Sequence, residues 1–114
     1  MTASTPPWRY VVALGSNRRG RHGAPADALR AAIAAIGGVV AVSPILTTAP
    51  PGPSRRRFAN AAVLIESAET PAALLQRLKS IERTAGRRRG RRWDARVLDL
   101  DIILWSGGAW SSAG

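Results

Sequence analysis

The residues of this chain best suited to chemistry are two aspartates near its end, Asp99 and Asp101. They lie in Leu98-Asp99-Leu100-Asp101-Ile102-Ile103-Leu104, where Leu98, Leu100, Ile102 and Leu104 alternate with the residues between them. That period predicts a strand. Successive side chains on a strand point to opposite faces, so the two carboxylates share one face and the apolar set takes the other. Adjacent carboxylates repel each other. A hard cation between them relieves the repulsion, and Mg²⁺ prefers oxygen ligands of this kind. Seven arginines directly precede the pair: Arg83, Arg87, Arg88, Arg89, Arg91, Arg92 and Arg96. A divalent-metal site beside an arginine cluster suits a polyphosphate, because guanidinium groups bind phosphate oxygens in bidentate pairs.

Four other residues bear on the chemistry: Phe58, Asn60, Glu82 and His22. Phe58 and Asn60 fall at i and i+2 of an apolar segment and so face the same way. An aromatic ring and an amide on one sheet face can stack on a flat heterocycle and hydrogen-bond its edge; on these residues alone, a strand-end asparagine beside a core phenylalanine fits as well. Glu82 sits one residue past Ile81 at the edge of a predicted apolar stripe, which suits a surface position or a polar role at a site mouth. His22 is the only histidine and falls in a basic loop, where an exposed position is expected. No segment matches G-x-x-x-x-G-K-[ST], and no strand is followed by G-x-G-x-x-G. A nucleotide would therefore be held by arginine and metal rather than by a glycine cradle.

The bulk properties narrow the partners. A length of 114 residues suits one domain, and 46% hydrophobic content suits a packed core. A formal charge of +10 and a pI near 11.9 call for an anionic partner: nucleotide, nucleic acid or acidic lipid. Lys79 is the only lysine among the 17 basic residues. The absence of cysteine excludes disulfides, thiolate metal sites and a cysteine nucleophile. No apolar run reaches the ~18–20 residues that span a bilayer, so no membrane association is expected. Met1 to Trp8 lacks the basic start and apolar stretch of a secretory signal, and a cytoplasmic location is the expectation.

The elements that must position these residues follow from the pattern. Residues 1–8 read as a disordered lead, 9–105 as the domain and 106–114 as a flexible tail. Arg9 to Leu14 is a predicted strand, followed by a basic loop to Gly23. Pro25 opens a helix whose stripe is Leu29, Ala32, Ile33 and Ile36, and Gly37-Gly38 stops it. Val39 to Thr48 is a second strand, with Pro44 marking an edge or a bulge. A long loop, 49–57, leads to a third strand, Phe58 to Ile65. Thr70 caps and Pro71 opens a second helix with the stripe Leu74, Leu75, Leu78, Ile81 and Ala85. Gly86 ends it, and the arginine loop 87–92 leads to the fourth strand, 97–105. The order β-α-β-β-α-β predicts an α/β protein of the α+β kind. Its simplest form is ferredoxin-like: an antiparallel four-strand sheet with two helices on one face. Asp99 and Asp101 belong on the open face.

Taken together, these segments resemble the 6-hydroxymethyl-7,8-dihydropterin pyrophosphokinases of folate biosynthesis. The matching elements are Ala13-Leu14-Gly15-Ser16-Asn17, Thr48-Ala49-Pro50-Pro51-Gly52-Pro53, Phe58-Ala59-Asn60-Ala61-Ala62-Val63 and Ile81-Glu82 with Gly86-Arg87-x-Arg89. The last and most specific is Arg92-Trp93-x-x-Arg96-x-Leu98-Asp99-Leu100-Asp101-Ile102. They keep the family's order and spacing over residues 10–105. The resemblance implies transfer of pyrophosphate from ATP to the hydroxymethyl group of a reduced pterin, leaving AMP. It implies two Mg²⁺ ions on Asp99 and Asp101. It places Glu82, Arg87, Arg89, Trp93, Arg96 and Ile102 around ATP, with Arg87 and Arg96 also serving catalysis. It places Thr48, Pro50, Phe58 and Asn60 around the pterin. Arg87, Arg89 and Arg96 are then expected to matter for ATP affinity, and Arg18, Arg19 and Arg21 not. A monomer that binds neither nucleic acid nor membrane is implied.

The sequence departs from the family pattern at three places. Asp94-Ala95 follows Trp93 where Gly-Pro is usual, and Thr48-Ala49-Pro50-Pro51 replaces Thr-Pro-Pro-Leu. The third departure is that the family's Pro-His-Pro segment and Arg-x-Phe do not occur before Gly114. These would supply a histidine, an arginine and a second aromatic wall for the pterin. Weak ATP·Mg²⁺ binding with little transfer is therefore the expectation for the chain as it stands, that of a fragment or a weakened relative. A different class, a basic ferredoxin-like module that binds RNA or DNA, shares the element order. It lacks the aromatic signature of RNA-recognition sheets, since the chain has one Phe and one Tyr.

Overall fold

The structure, a computed structural model, describes residues 5–17, 23–48, 58–86 and 98–108. Residues 1–4, 18–22 with His22, 49–57, 87–97 and 109–114 lie outside the described residues.

Alternating burial builds the sheet. β1, Trp8–Ser16, buries every second residue, with Tyr10, Val12 and Leu14 inside. β4, Phe58–Ser67, buries Ala59, Val63 and Ile65. β5, Asp99–Trp105, buries Leu100 and Ile102. A sheet that buries one face against helices and leaves the other open shows this period of two. The helices close the buried side. α1, Pro25–Ile36, turns Ala28, Leu29, Ala32 and Ile36 inward over β1 and β4. α2, Pro71–Thr84, turns Leu74 and Leu78 inward over β5. The Thr70 hydroxyl accepts the Ala73 N–H at 3.3 Å and so caps α2, as its sequence predicts.

All strand pairs are antiparallel, in the order β2-β4-β1-β5, which is the ferredoxin-like arrangement expected. The predicted second strand, 39–48, is broken in two: β2, Val39–Val42, and β3, Leu46–Thr48. Both pair with β4 along the same edge. The break has a local cause. Pro44 has no N–H to give to the ladder, and Ser43 takes over: its N–H donates to the Ala62 carbonyl and its hydroxyl accepts the Ala62 N–H, each at 2.9 Å. Val42 pairs with Val63 and Leu46 with Asn60, so the three edge residues between those pairs lie against two of β4. This is the bulge that a proline inside a strand demands. Gly38, with φ 63°, makes the turn into β2; a Cβ there would lie 2.5 Å from the Glu66 carbonyl oxygen.

The far end of the sheet is fastened by aromatic and ionic contacts. Trp105 meets Trp8 edge-on at 5.2 Å and stacks on Tyr10 at 5.7 Å. The Tyr10 hydroxyl donates to the Glu69 carbonyl, and burial raises its pKa above the usual tyrosine value. Arg77 grips the Glu69 carboxylate with two nitrogens at 2.8 Å and donates to the Ile36 carbonyl at 2.9 Å, tying α2 to the end of α1. Hydrogen bonds from Arg77 hold the Glu69 carboxyl below the ordinary carboxylate range. No helix among the described residues is long and apolar enough to cross a membrane.

Candidate active site

The strand register assembles the predicted residues on the open face. Asp99 pairs with Gly15, Gly15 with Asn60, and Asn60 with Leu46. Directly paired residues in antiparallel strands point to the same face. Asp99, Gly15, Asn60 and Leu46 therefore form one row across four strands. Asp101 follows on the same face, paired with Ala13. Phe58, opposite Thr48, stands next to Asn60 on the other side. Asp99, Asp101, Phe58 and Asn60 are all exposed. The carboxylate pair and the aromatic–amide pair lie far apart in sequence. The sheet brings them to one surface with a single strand, β1, between them.

Gly15, part of the family-like segment Ala13–Asn17 but just past the predicted strand, lies inside β1 and in this row. A Cβ built on it would lie 3.3 Å from Asn60 Oδ1, tighter than ordinary contact. Glycine leaves this place in the row without a side chain, and the Asn60 amide leans over it. A glycine inside a strand is itself the signal for such close approach.

The same end of the sheet gives rise to the basic segments. β1 runs out into 18–22, β3 into 49–57, and 87–97 runs into β5. These segments hold Arg18, Arg19 and Arg21, then Arg55, Arg56 and Arg57, then Arg87, Arg88, Arg89, Arg91, Arg92 and Arg96. Chain connection alone thus tethers twelve of the sixteen arginines to the end of the sheet that carries the row. Pro50, Arg87, Arg89, Trp93 and Arg96, expected at the site, lie outside the described residues.

Two expected site residues lie on the buried side. Ile102 is only 4% exposed, and its side chain is part of the core. Glu82 is fully buried rather than at the surface or a site mouth. It continues the i, i+4 row of Leu74 and Leu78, and that spacing is the sequence signal for its burial. Its Oε2 accepts the Leu100 N–H at 2.7 Å and lies 3.3 Å from Lys79 Nζ. Leu100 is the residue between the two aspartates. Among the described residues, no cluster of three or more His, Cys, Asp or Glu side chains is placed to hold a metal ion.

Comparison with known proteins decides the family. The family model of 7,8-dihydro-6-hydroxymethylpterin-pyrophosphokinase matches residues 11–110. This chain belongs to that family. It is 39% identical over 103 residues to the 2-amino-4-hydroxy-6-hydroxymethyldihydropteridine pyrophosphokinase of Pseudomonas putida, covering 86% of this chain and 82% of that protein. It is 39% identical to the Pseudomonas aeruginosa protein of the same name, covering 85% of this chain and 61% of that one. The Mycobacterium leprae protein of that name is 43% identical over 98 residues, covering 83% of this chain and 49% of its own length. The chain thus spans from about half to about four-fifths of these pyrophosphokinases.

Proposed function

We propose that this chain binds ATP and 6-hydroxymethyl-7,8-dihydropterin on the open face of the sheet and transfers the terminal pyrophosphoryl group between them. The observation that carries the reading is the cross-strand row. It sets the carboxylate pair beside the only aromatic side chain among the described residues of that face, with glycine between them. An RNA-binding sheet would need stacked aromatics where this face carries carboxylates.

Asp99 and Asp101 suit Mg²⁺. They are hard oxygen donors, exposed and on one face, and Mg²⁺ is commonly bound by one or two carboxylates together with substrate phosphates. When bound, two such ions would offset the charge of the triphosphate and stabilise the oxygens around the transferred group. Arg87, Arg89 and Arg96 hold the phosphates, and Trp93 packs with the nucleotide. Ile102 contributes through its backbone. The Leu100 N–H points off the edge of β5 away from β1, so by alternation the N–H and C=O of Ile102 face that edge too. Phe58 stacks on the pterin and Asn60 hydrogen-bonds its edge, while the backbone at Thr48 and Pro50 closes the pocket. Glu82 acts from beneath the site through β5.

The hydroxymethyl oxygen attacks the β-phosphorus. The bond from that phosphorus to the α-phosphate oxygen breaks, AMP leaves, and the hydroxyl proton is released to solvent. Positioning and electrostatics carry most of such a transfer. The reading includes a monomer in the cytoplasm, where ATP is available, with no nucleic-acid or membrane partner.

The test is pterin- and Mg²⁺-dependent release of AMP from ATP, alongside calorimetric titration of each substrate. Both are run on this chain and on one extended by the Pro-His-Pro and Arg-x-Phe segments. Pterin-dependent AMP release from either protein, with ATP binding that requires Mg²⁺, is expected. Metal-independent ATP binding, with no AMP released by either, would overturn the reading.

A further inference from the structure

We infer that Lys79 is a positioning residue for the carboxylate pair, acting with Glu82 in place of a neighbouring strand at the outer edge of β5. This rests on the assignment of Asp99 and Asp101 proposed above. Among the described residues β5 is the last strand of the sheet, so one of its edges has no partner strand among them. An unpaired edge can slip or attract another chain. In a ladder, a residue engages its partner through both its N–H and its C=O. Leu100 does this with two side chains of α2. Glu82 Oε2 accepts its N–H at 2.7 Å, and Lys79 Nζ donates to its carbonyl at 3.5 Å. Lys79 and Glu82 are three residues apart on one helix face and are joined to each other at 3.3 Å.

The clamp holds the residue between the two metal-binding positions. The Leu100 side chain is fully buried on the helix side, while Asp99 and Asp101 stand on the other. A shift of β5 along or away from β1 would move both carboxylates together. The hydrophobic contacts of Leu100 are non-directional, whereas the two hydrogen bonds fix its height and register. Glu82 is fully buried, and the Lys79 ammonium, with a side chain 38% exposed, brings an opposing charge to it from the solvent edge. Supporting residues of this kind set the position of the ligands that touch a metal, and losing one typically costs 10–100-fold in affinity.

The test uses two variants, Lys79→Met and the double Lys79→Met/Glu82→Leu, against the unaltered chain. Three readouts are taken: melting temperature, affinity for a non-hydrolysable ATP analogue with Mg²⁺, and hydrogen exchange of the Leu100 amide. Lys79→Met is expected to weaken analogue binding about tenfold, to lower the melting temperature and to speed exchange at Leu100. The double variant removes the buried Glu82 carboxylate together with the part-exposed Lys79 ammonium, and with them both α2 partners of Leu100. Its affinity should stay low and its Leu100 amide should exchange fast, whether or not its melting temperature recovers. Affinity restored in the double variant, or unchanged in Lys79→Met, overturns the positioning role. If the unaltered chain binds no analogue, the proposed function fails separately. Exchange at Leu100 then decides the clamp: faster in Lys79→Met sustains it, unchanged overturns it.

Discussion

Replacing Gly15 with alanine should raise the stability of the fold and weaken ligand binding. The two effects have separate causes. Gly15 lies in β1 with strand neighbours on both sides, and a glycine inside a strand is destabilising by roughly 0.5–1 kcal/mol relative to alanine. For a domain of this size, about 1 kcal/mol moves the melting temperature by about 4–8 °C. A rise of about 2–8 °C is therefore the upper expectation. The new Cβ would meet Asn60 Oδ1 at 3.3 Å, so the amide must yield by a few tenths of an ångström. Asn60 is exposed and can rotate, which keeps the cost to stability small. The same rotation takes the amide off the pterin edge, and the methyl fills the gap between Asn60 and Asp99. Losing one hydrogen bond is worth about 0.5–1.5 kcal/mol, so pterin affinity should fall about two- to tenfold. Gly15→Val, which fills more of the gap, should bind still more weakly while remaining folded. Thermal denaturation gives the first quantity. Fluorescence titration of the pterin, with a non-hydrolysable ATP analogue and Mg²⁺ present, gives the second. Unchanged pterin affinity in Gly15→Ala would refute the assignment of this row as the ligand surface, and a loss of stability would refute the reasoning about a strand glycine.

Asp99→Asn and Asp101→Asn should each abolish Mg²⁺-dependent nucleotide binding without unfolding the chain, because both side chains are exposed on the face away from the helices. Circular dichroism and calorimetry check the two halves of that statement, and unchanged ATP·Mg²⁺ binding in both variants would contradict it. At the far end of the sheet, Arg77 lowers the Glu69 pKa from its ordinary value of 4.5. A carboxyl with a lowered folded-state pKa contributes stability that is present above its unfolded value and is lost as pH falls through the folded one. Melting temperature should therefore drop on acidification below about pH 4.5. Glu69→Gln should remove part of that drop, so that the two melting curves converge at low pH. A gap between them that stays constant with pH would rule out this ion pair as its source.

Much of the candidate site's arrangement was legible in the sequence because it depends on a period of two. The alternation of Leu98, Leu100 and Ile102 puts Asp99 and Asp101 on one face whatever the rest of the chain does, and the same holds for Phe58 and Asn60. The caps and stops of both helices, from Pro25 and Thr70 to Gly37-Gly38, are local chemistry and were equally readable. The break at Pro44 was readable as an edge or a bulge. Its form, with Ser43 standing in for the missing donor, depends on Ala62 in another strand. Which strands adjoin which is not a local property. Only the order β2-β4-β1-β5 sets Asp99, Gly15 and Asn60 in one row, and nothing in the spacing of Gly15 from the other two requires it. The i, i+4 spacing of Leu74, Leu78 and Glu82 holds a signal of burial, which the expectation of a surface or site-mouth glutamate missed, and its partner could not be read. A carboxylate is buried where a donor meets it, and the Leu100 N–H became available only because β5 ended up at the edge of the sheet.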